Sequence, residues 1–351
     1  MARYAIAGLR DFGVRAIAAV GAGEDEAAIL ADCLIDAQLR TAPLQNQGVV
    51  RFAIYARRVR AGGITPRAAF RMLRDRPAAA LVDGGNGFGQ VVAYRAMSLA
   101  MEKARACGIG AVAARNSNHF GTASYFALMA ARAGLVGLAF TNASPEMPAW
   151  GASVPLVGTN PWSIAVPGPE DRPVVLDISN AASGKRLIRE YAAAGRPIPA
   201  GWAMDRDGRS VTDARAAVDA LLAPIGGYKG YGIAVMVDLL TGGLAGGRAG
   251  SAVGSPYDFG RAQGVSHLLA VIDPEAFAGS ETLRAGVDAV AREVHGAPRQ
   301  PGVDAVRLPG DPEWERRDAA LACGAELLDE TVERLRALGD EVGVPFPAPL
   351  P

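Results

Sequence analysis

Apolar side chains return at every third or fourth position in the first part of the chain. Between residues 24 and 38 this spacing, with acidic residues in the first turn, predicts an amphipathic helix. The segment VVRFAIYARRVRAGG predicts a second helix that ends at Gly62 and Gly63, and PRAAFRMLRDR predicts a third that begins at Pro66. The first 75 residues are therefore expected to be mainly helical.

In the middle of the chain, short apolar runs alternate with amphipathic helices. The order is AAALVDG, the helical GQVVAYRAMSLAMEKARACG, IGAVAA, the helical ASYFALMAARAG and LVGLAFT. The short runs SIAVP, VVLDIS and LLAVID follow, with helices predicted near residues 232–244 and 274–294. This alternation is typical of an α/β fold.

The end of the chain returns to a helical pattern, from Glu313 to Leu338. Because helical ends flank a mixed middle, domain boundaries are expected near Arg76 and Arg307. We predict one helical unit made of residues 1–75 and 308–351, and one mixed α/β domain made of residues 76–307.

The composition excludes several classes of partner. Lysine plus arginine and aspartate plus glutamate both total 36, so the formal net charge is zero and no basic field is available to hold nucleic acid or an anionic membrane. The longest apolar tract, YGIAVMVDLLTGGLAGG, contains Asp238 and several glycines and is expected to be a buried helix. The N-terminal residues carry arginines at intervals, which is untypical of a secretory signal. A cytoplasmic protein with a small-molecule partner is therefore expected.

Cysteine and histidine are scarce and scattered. The three cysteines, at positions 33, 107 and 323, form no CxxC pair, and the three histidines, at positions 119, 267 and 295, form no HxH or HExxH pattern. Neither a disulfide framework nor a metal site is expected from these spacings.

Two glycine-rich segments are candidates for anion binding. In GGNGFGQ, Gln90 stands where a GxGxxG dinucleotide motif needs its last glycine, so a plain glycine turn explains the segment better. APIGGYKGYG places Lys229 among glycines ahead of an apolar helix, which suits a phosphate or a carboxylate. A solvated lysine in a loop explains this second pattern equally well.

His119 stands in RNSNHFG, directly after the predicted strand IGAVAA, at the kind of turn where α/β proteins bind ligands. A histidine can pass a proton to or from a carbonyl oxygen near neutral pH. A turn histidine bonded to backbone is the competing interpretation, which the segment alone slightly favours. In VGTNPWS, Thr159 and Asn160 are further side-chain donors, which a turn alone would also explain.

Seven segments occur in a fixed order: RNSNHFG, TNASPEMPAWG, GTNP, VLDIS, PAGWAMDRDG, GGYKGYG and LPGDPE. Taken together they resemble the type-two malate/L-lactate dehydrogenase family, which also includes L-sulfolactate and ureidoglycolate dehydrogenases and piperideine-2-carboxylate reductase. The resemblance spans nearly the whole chain. It implies an NAD- or NADP-dependent oxidoreductase with an L-sulfolactate dehydrogenase-like, non-Rossmann cofactor fold in the mixed α/β domain, and a homodimer with active sites near the subunit contact.

The same resemblance implies roles for individual residues. His119 matches a proton-transfer residue, and Arg51 in QGVVRF matches an arginine whose guanidinium could bind a substrate carboxylate through two hydrogen bonds. Thr159 and Asn160 are candidate substrate contacts as well. The candidate cofactor contacts are Ser144, Asp177, Ile178, Ser179, Tyr228, Lys229, Gly310, Asp311 and Pro312.

Two features depart from the family pattern. The segment from Asp177 to Lys185 looks slightly shorter, and Asn46 and Gln47 replace the Ser-His pair that relatives carry before the arginine. A neutral amide cannot relay a proton. Reducing a ketone creates an alkoxide that needs a proton, whereas reducing an iminium creates a neutral amine. We therefore predict that an imine or cyclic imino acid is at least as good a substrate as a 2-keto acid, with Asn46 and Gln47 as substrate-orienting donors.

Three functions are compared: a redox enzyme, a family member without redox turnover, and an interaction scaffold. The leading hypothesis is an NAD(P)-dependent reductase of a small carboxylate-bearing carbonyl or imine compound. The missing Ser-His pair is the reason for a second hypothesis. In it, the chain is a family member without redox turnover that binds its ligand or carries out non-redox chemistry in the same pocket. An interaction scaffold without a small-molecule site fits poorly, because polar residues gather at the motif positions.

Overall fold

A computed structural model describes residues 2–42, 48–169 and 172–351. Asn46 and Gln47, two of the predicted substrate contacts, lie outside these residues. The described helices are α1 Ile6–Ala19, α2 Glu24–Arg40, α3 Arg51–Arg60, α4 Gly89–Cys107, α5 Ala123–Arg132, α6 Lys185–Ala193, α7 Ala214–Ala217, α8 Tyr228–Asp238, α9 Ser280–Gly296, α10 Asp311–Cys323 and α11 Asp329–Val342. A π-helical turn, Leu239–Gly243, continues α8.

The described strands form one large sheet and three small ones. They are β1 Ala2–Tyr4, β2 Arg71–Asp75, β3 Ala79–Asp83, β4 Ile109–Ser117, β5 Val136–Thr141, β6 Pro145–Pro148, β7 Pro155–Gly158, β8 Trp162–Val166, β9 Val174–Ile178, β10 Ala203–Met204, β11 Ser210–Val211, β12 Leu221–Leu222, β13 Val265–Ile272 and β14 Ala325–Leu327. The large sheet has the order β2-β3-β4-β13-β5-β8-β9. Only β3 and β4 are paired in parallel among these strands, and α4 connects them as a βαβ unit.

The large sheet is covered by α4 and α5, whose small apolar residues pack on the buried faces of β3, β4, β5 and β13. Alternate residues of β5 are buried, as the period of two in a half-buried strand requires. Helix α4 ends at Gly108, which has a φ of 81° and stops the helix in the left-handed conformation. The predicted α/β alternation is therefore confirmed for this part of the chain. No helix within the described ranges is long and apolar enough to cross a membrane.

The two ends of the chain pack on each other. Strand β1 pairs antiparallel with β14, and α1, α2 and α3 contact α10 and α11 around an apolar core that includes Leu9, Phe52 and Leu335. The division of the chain into two domains at these contacts stays a prediction.

Two helix predictions are wrong, the first as a whole and the second in part. PRAAFRMLRDR does not form a helix, because Arg67 has a φ of 54°, which breaks the first turn, and Arg71–Asp75 pairs with β3 as an exposed edge strand. Edge pairing overrides the helix propensity of these residues. The helix predicted from Glu313 to Leu338 is interrupted at Gly324, which has a φ of 84°, and the three residues of β14 separate α10 from α11.

The order of the large sheet places the predicted site residues at one end of its strands. Strands β4 and β5 both run antiparallel to β13, β8 runs antiparallel to β5, and β9 runs antiparallel to β8. One end of the sheet therefore contains the last residues of β4, β5 and β9 and the first residues of β8 and β13. His119, Ser144, Asn160 and Ser179 follow or precede these strands, so the topology gathers segments that are far apart in sequence.

Candidate active site

His119 lies two residues after β4, and its ring is oriented by two donors. The hydroxyl of Tyr55 lies 2.7 Å from Nδ1 of His119, and the main-chain N–H of Gly121 donates to the same nitrogen at 3.3 Å. Because a backbone N–H can only donate, Nδ1 is an acceptor, and the neutral ring carries its hydrogen on Nε2. The backbone-bonded turn histidine of the competing interpretation is thus present, but it leaves Nε2–H for another acceptor.

The surroundings of His119 disfavour a positive charge on its ring. Burial lowers the pKa of His119 well below its ordinary value, and the charge of Arg51, the neighbouring His267 and the charge of Arg58 act in the same direction. The described residues around His119 therefore keep its ring neutral at physiological pH. It can donate through Nε2 but does not reside as an imidazolium.

Tyr55 and Gln90 complete the surroundings of His119, and the sequence did not single out either of them for a role. The Nε2 group of Gln90 donates to the hydroxyl oxygen of Tyr55 at 2.7 Å, and both side chains are buried. Tyr55 lies one helical turn after Arg51, on the same face of α3. That spacing was the signal in the sequence, whereas Gln90 was considered only as a departure from a glycine motif.

Helix α3 presents a row of functional groups to the site, at Arg51, Tyr55 and Arg58. Arg51, which is predicted to bind the substrate carboxylate, is the first residue of the helix and is buried. The Arg58 guanidinium donates to the carbonyl oxygens of Asp258 and Arg261, both at 2.8 Å, and to Oδ1 of Asn118 at 3.2 Å. Arg58 thereby fixes the loop before β13 against the turn that carries His119.

The loop fixed by Arg58 also contacts His119 directly. Oε1 of Gln263 accepts the main-chain N–H of His119 at 3.0 Å. On the other side, buried His267 stacks on Phe120 with ring centroids 4.7 Å apart, and burial lowers its pKa to about 3. His267 bonds Thr141 and Ser117 through its two ring nitrogens, both at 2.8 Å, so it is a neutral packing residue and not an acid or base.

The predicted cofactor segments are joined by two buried asparagines. Oδ1 of Asn160 accepts the N–H of Ala143 at 2.9 Å, and its Nδ2 donates to the carbonyl of Ala234 at 2.8 Å. Nδ2 of Asn180 donates to the carbonyl of Asn160 at 2.6 Å, while the carbonyl of Asn180 accepts the N–H of Ile225 at 2.8 Å. Asn160, predicted to bind substrate, therefore has its amide groups engaged inside the protein, and Asn180 was missed by the sequence analysis.

These bonds hold the segments that carry Ser144, Ser179 and the turn before α8 close to one another. The carboxylate of Asp177 accepts the main-chain N–H of Ser124 at 2.9 Å, at the start of the helix that follows His119. This bond connects the predicted cofactor segments to the His119 turn. Thr159 is half-buried next to Asn160, and its carbonyl accepts the N–H of Asn180 at 2.8 Å.

The N-terminus of α8 has the features needed to hold a phosphate group of NAD or NADP. Gly226 and Gly227 have φ values of 60° and 67°, which residues with a Cβ rarely adopt. Gly227 is the residue directly before the first turn of α8. The first N–H groups of a helix lack intrahelical partners, and the exposed Lys229 adds a positive charge there. The ring of Trp150 packs against Tyr228 at 6.1 Å between centroids. These features suit an anionic group such as a phosphate, and the cofactor contacts of Tyr228 and Lys229 stay a prediction.

Gly310, Asp311 and Pro312 lie apart from that turn, at the start of α10 and beside β9. Gly310 has a φ of 98°, and a Cβ there would come within 2.7 Å of Val175. The carboxylate of Asp311 accepts the N–H of Leu308 at 2.7 Å and bonds His295 at 2.8 Å. These three predicted cofactor residues therefore lie near the first half of β9, and Asp177, Ile178 and Ser179 lie at its end.

One acidic group belongs to the same region. Burial raises the pKa of half-buried Glu146 on β6, while the charges of Lys185, Arg189 and Arg51 lower it. Nζ of Lys185 donates to the carbonyl of Val218 at 2.9 Å and so lies beside β12, which packs on β6. Asp219 also acts on Lys185, so three cations and two carboxyl groups leave this end of the site with a small excess of positive charge, which suits an anionic substrate.

Comparison with known proteins gives a family match over most of the chain. The family model of malate/L-lactate dehydrogenase matches residues 4–336. The chain is 35% identical over 344 residues to the malate dehydrogenase of Pyrococcus horikoshii, with 96% of this chain and 94% of the relative covered. It is 34% identical to a ureidoglycolate dehydrogenase (NAD(+)) of Escherichia coli O157:H7, over 90% of this chain and 89% of the relative. It is 36% identical to the (2R)-3-sulfolactate dehydrogenase (NADP(+)) of Chromohalobacter salexigens, over 92% and 94%.

Solved structures give the same result. The sulfolactate dehydrogenase of Methanocaldococcus jannaschii superposes with a TM-score of 0.92 at 30% identity, over 99% of this chain and 98% of that one. The Δ1-piperideine-2-carboxylate reductase of Pseudomonas syringae superposes with a TM-score of 0.84 at 30% identity, over 96% of this chain and 100% of that one. The predicted non-Rossmann fold is therefore confirmed.

Proposed function

The chain belongs to the malate/L-lactate dehydrogenase family, and on that basis we propose that it transfers hydride between NAD or NADP and the C2 atom of a small carboxylate-bearing substrate. Its relatives are dehydrogenases named for NAD(+) or NADP(+), so the cofactor is one of these two. When bound, the reduced nicotinamide supplies the hydride. The observation that carries the proposal is the neutral His119, which has Nε2–H to donate and lies within the electrostatic influence of Arg51.

The chain's own residues have separate roles in this reaction. Arg51 would bind the substrate carboxylate, which fixes C2 and its oxygen relative to His119. His119 would donate its Nε2 proton to the oxygen as the alcohol forms, and would accept it in the reverse direction. A 2-keto acid is the first candidate, because the pair of Tyr55 and His119 can supply the proton that a ketone requires.

A cyclic imino acid is the second candidate. It is favoured by Asn46 and Gln47, which stand where the family has Ser-His and cannot supply a proton. An amine product needs less proton transfer than an alcohol, so this substitution harms imine reduction less. The similarity to a piperideine-2-carboxylate reductase is a further argument for this class.

The test is a substrate panel with both cofactors. Purified protein is mixed with NADH or NADPH and with oxaloacetate, pyruvate, sulfopyruvate or piperideine-2-carboxylate, and loss of the reduced-nicotinamide absorbance is followed. Oxidation with at least one acid supports the proposal. Cofactor binding, measured by nicotinamide fluorescence, without oxidation across the panel would instead support a protein that has lost redox turnover.

A Gln47→His variant separates the two substrate classes. Restoring an imidazole at this position is expected to raise ketone turnover relative to imine turnover, because it adds an acid that only the alkoxide requires. Equal rates for Gln47→His and the unchanged protein on both classes would remove the argument for imino acids.

We also propose that the protein is a homodimer paired through α8 and its π-helical turn. From Gly230 to Gly247 the only charged residue is Asp238, and its carboxylate accepts from Asn142 and Gly250 inside the protein. The sequence predicted a buried helix here, but the segment exposes five large apolar side chains: Ile233, Met236, Leu239, Leu240 and Leu244. An uncharged apolar helix face fits a second copy of itself about a twofold axis. The apolar helix face follows directly after Lys229, a predicted cofactor contact at the start of α8. The contact between the two subunits would therefore lie beside the active site.

The dimer is tested by two matched variants. Met236 and Val290 are 55% and 54% exposed, on α8 and α9. Met236→Glu is expected to shift the protein from dimer to monomer in sedimentation analysis, because two carboxylates would then face an apolar contact. Val290→Glu is expected to leave the mass unchanged. A monomeric unchanged protein, or equal behaviour of the two variants, would contradict this interface.

A further inference from the structure

We propose that Tyr55, with Gln90, forms a proton relay with His119, so that the acid of the reaction is the neutral Tyr55–His119 pair and not a protonated histidine. The inference rests on the proposed hydride transfer and deepens it. It comes from three bonds: Gln90 Nε2 to the Tyr55 oxygen, the Tyr55 hydroxyl to Nδ1 of His119, and Gly121 N–H to the same Nδ1.

The donors in this chain fix the direction in which the protons point. Gly121 can only donate, so Nδ1 holds no proton in the resting state. Gln90 donates an amide hydrogen to the Tyr55 oxygen, which leaves the phenolic hydrogen directed at Nδ1. Both bonds of Tyr55 measure 2.7 Å, which is short enough for transfer of a proton between heavy atoms.

The reaction balances without an imidazolium. As C2 of the ketone receives the hydride, the carbonyl electron pair moves to oxygen, and that oxygen takes the proton from Nε2. The Nε2–H electron pair stays in the ring, Nδ1 takes the phenolic proton, and the oxygen of Tyr55 keeps the electron pair as a phenolate. A secondary alkoxide is a stronger base than a phenolate, so the transfer runs toward the alcohol. After the product leaves, water returns one proton to Nε2 and the pair resets.

The charges around the pair favour this route over protonation of the ring. Arg51 and Arg58 lower the pKa of His119, and the same two cations and the Gln90 hydrogen bond act to lower the pKa of Tyr55, which burial raises to about 12. The cations thus stabilise the phenolate and destabilise the imidazolium. The other titratable groups that face the pair are His267 and Cys33, both buried.

The kinetic test is Tyr55→Phe, which removes one oxygen from a buried ring, with Tyr4→Phe as the matched buried control on β1, where Tyr4 pairs with Ala325 of β14. With a 2-keto acid, Tyr55→Phe is expected to lower kcat about 100-fold at neutral pH. Its kcat should then fall about tenfold for each pH unit, because only the scarce imidazolium remains as an acid. The unchanged protein and Tyr4→Phe should be nearly flat over this range. A Tyr55→Phe profile parallel to the unchanged protein would overturn the relay, whatever the drop in kcat.

A second measurement needs no substrate. The chain has three histidines, so the ¹⁵N resonances of their ring nitrogens can be assigned by single substitutions. The relay predicts that His119 is neutral with Nε2 protonated at neutral pH, because its surroundings lower its pKa, and that Tyr55→Phe changes its Nδ1 resonance. A resting His119 with a protonated Nδ1 would overturn the relay even in an active enzyme. Failure of the substrate panel alone would count against the proposed function and leave this result standing.

Discussion

His119→Asn is expected to lower kcat by about 100-fold to 10,000-fold with any 2-keto acid that the protein reduces. The change removes the Nε2–H donor, while an asparagine oxygen could still accept the bonds that Nδ1 now accepts from Tyr55 and Gly121. The turn should therefore keep its shape, since the His119 main chain is separately held by Gln263. The KM should change little. Steady-state kinetics of both proteins with the same cofactor measure the effect.

Cofactor binding is the control for His119→Asn. The turn before α8 and the start of α10 do not include His119, so the Kd for NADH or NADPH should stay within about twofold, which is well below 1 kcal/mol. A kcat close to that of the unchanged protein would show that the proton comes from another group. Loss of cofactor binding together with kcat would show instead that the turn had collapsed.

Arg51→Gln is the second change with a large expected effect. If Arg51 binds the substrate carboxylate with two charged hydrogen bonds, its loss should lower kcat/KM by about 100-fold or more, because each such bond contributes about 1.5–3 kcal/mol. Most of the loss should appear in KM. Removing this charge should also raise the pKa of His119, because Arg51 now lowers it. The pH at which the ring of His119 takes up a proton, followed by its ¹⁵N resonances, should therefore be higher in Arg51→Gln than in the unchanged protein.

Arg60→Gln is the matched control for Arg51→Gln on the same helix. Arg60 pairs with Glu341 at the surface, and exposed ion pairs contribute little to stability, about 0–1 kcal/mol. Arg60→Gln should therefore leave kcat/KM unchanged. Thermal unfolding of both variants separates a binding effect from a folding defect, because Arg51 is buried. An unchanged KM in a folded Arg51→Gln protein would exclude Arg51 as the carboxylate ligand.

The sequence predicted the parts of the fold in which hydrophobic period and turn residues agree. The βαβ unit around α4 is one example, because a buried run, a long amphipathic helix ending at Gly108 and a second run leave little alternative. The segment Arg71–Asp75 is the opposite case. All five of its residues are exposed, so no apolar period marked it as a strand, although its partner β3 follows after only three residues.

Candidate site residues could be chosen from the sequence where a motif marked them, but not where packing brings the side chains together. His119 stood in a turn after a strand, and Arg51 was placed by resemblance. The partners of His119 could not be deduced in this way, since Tyr55 and Gln90 come from two different helices and meet only after both pack. Asn160 differs from these residues, because its side chain holds backbone groups together inside the protein; its contact with substrate stays a prediction.

Transfer of deuterium from the cofactor tests the central claim most directly. The protein is incubated with NADH or NADPH deuterated at the transferring position of the nicotinamide and with the panel of keto and imino acids, and the products are analysed by mass spectrometry. We predict one deuterium at C2 of a 2-hydroxy acid or a cyclic amino acid, and a much lower yield with His119→Asn. Bound cofactor without any deuterated product across the panel would contradict the account.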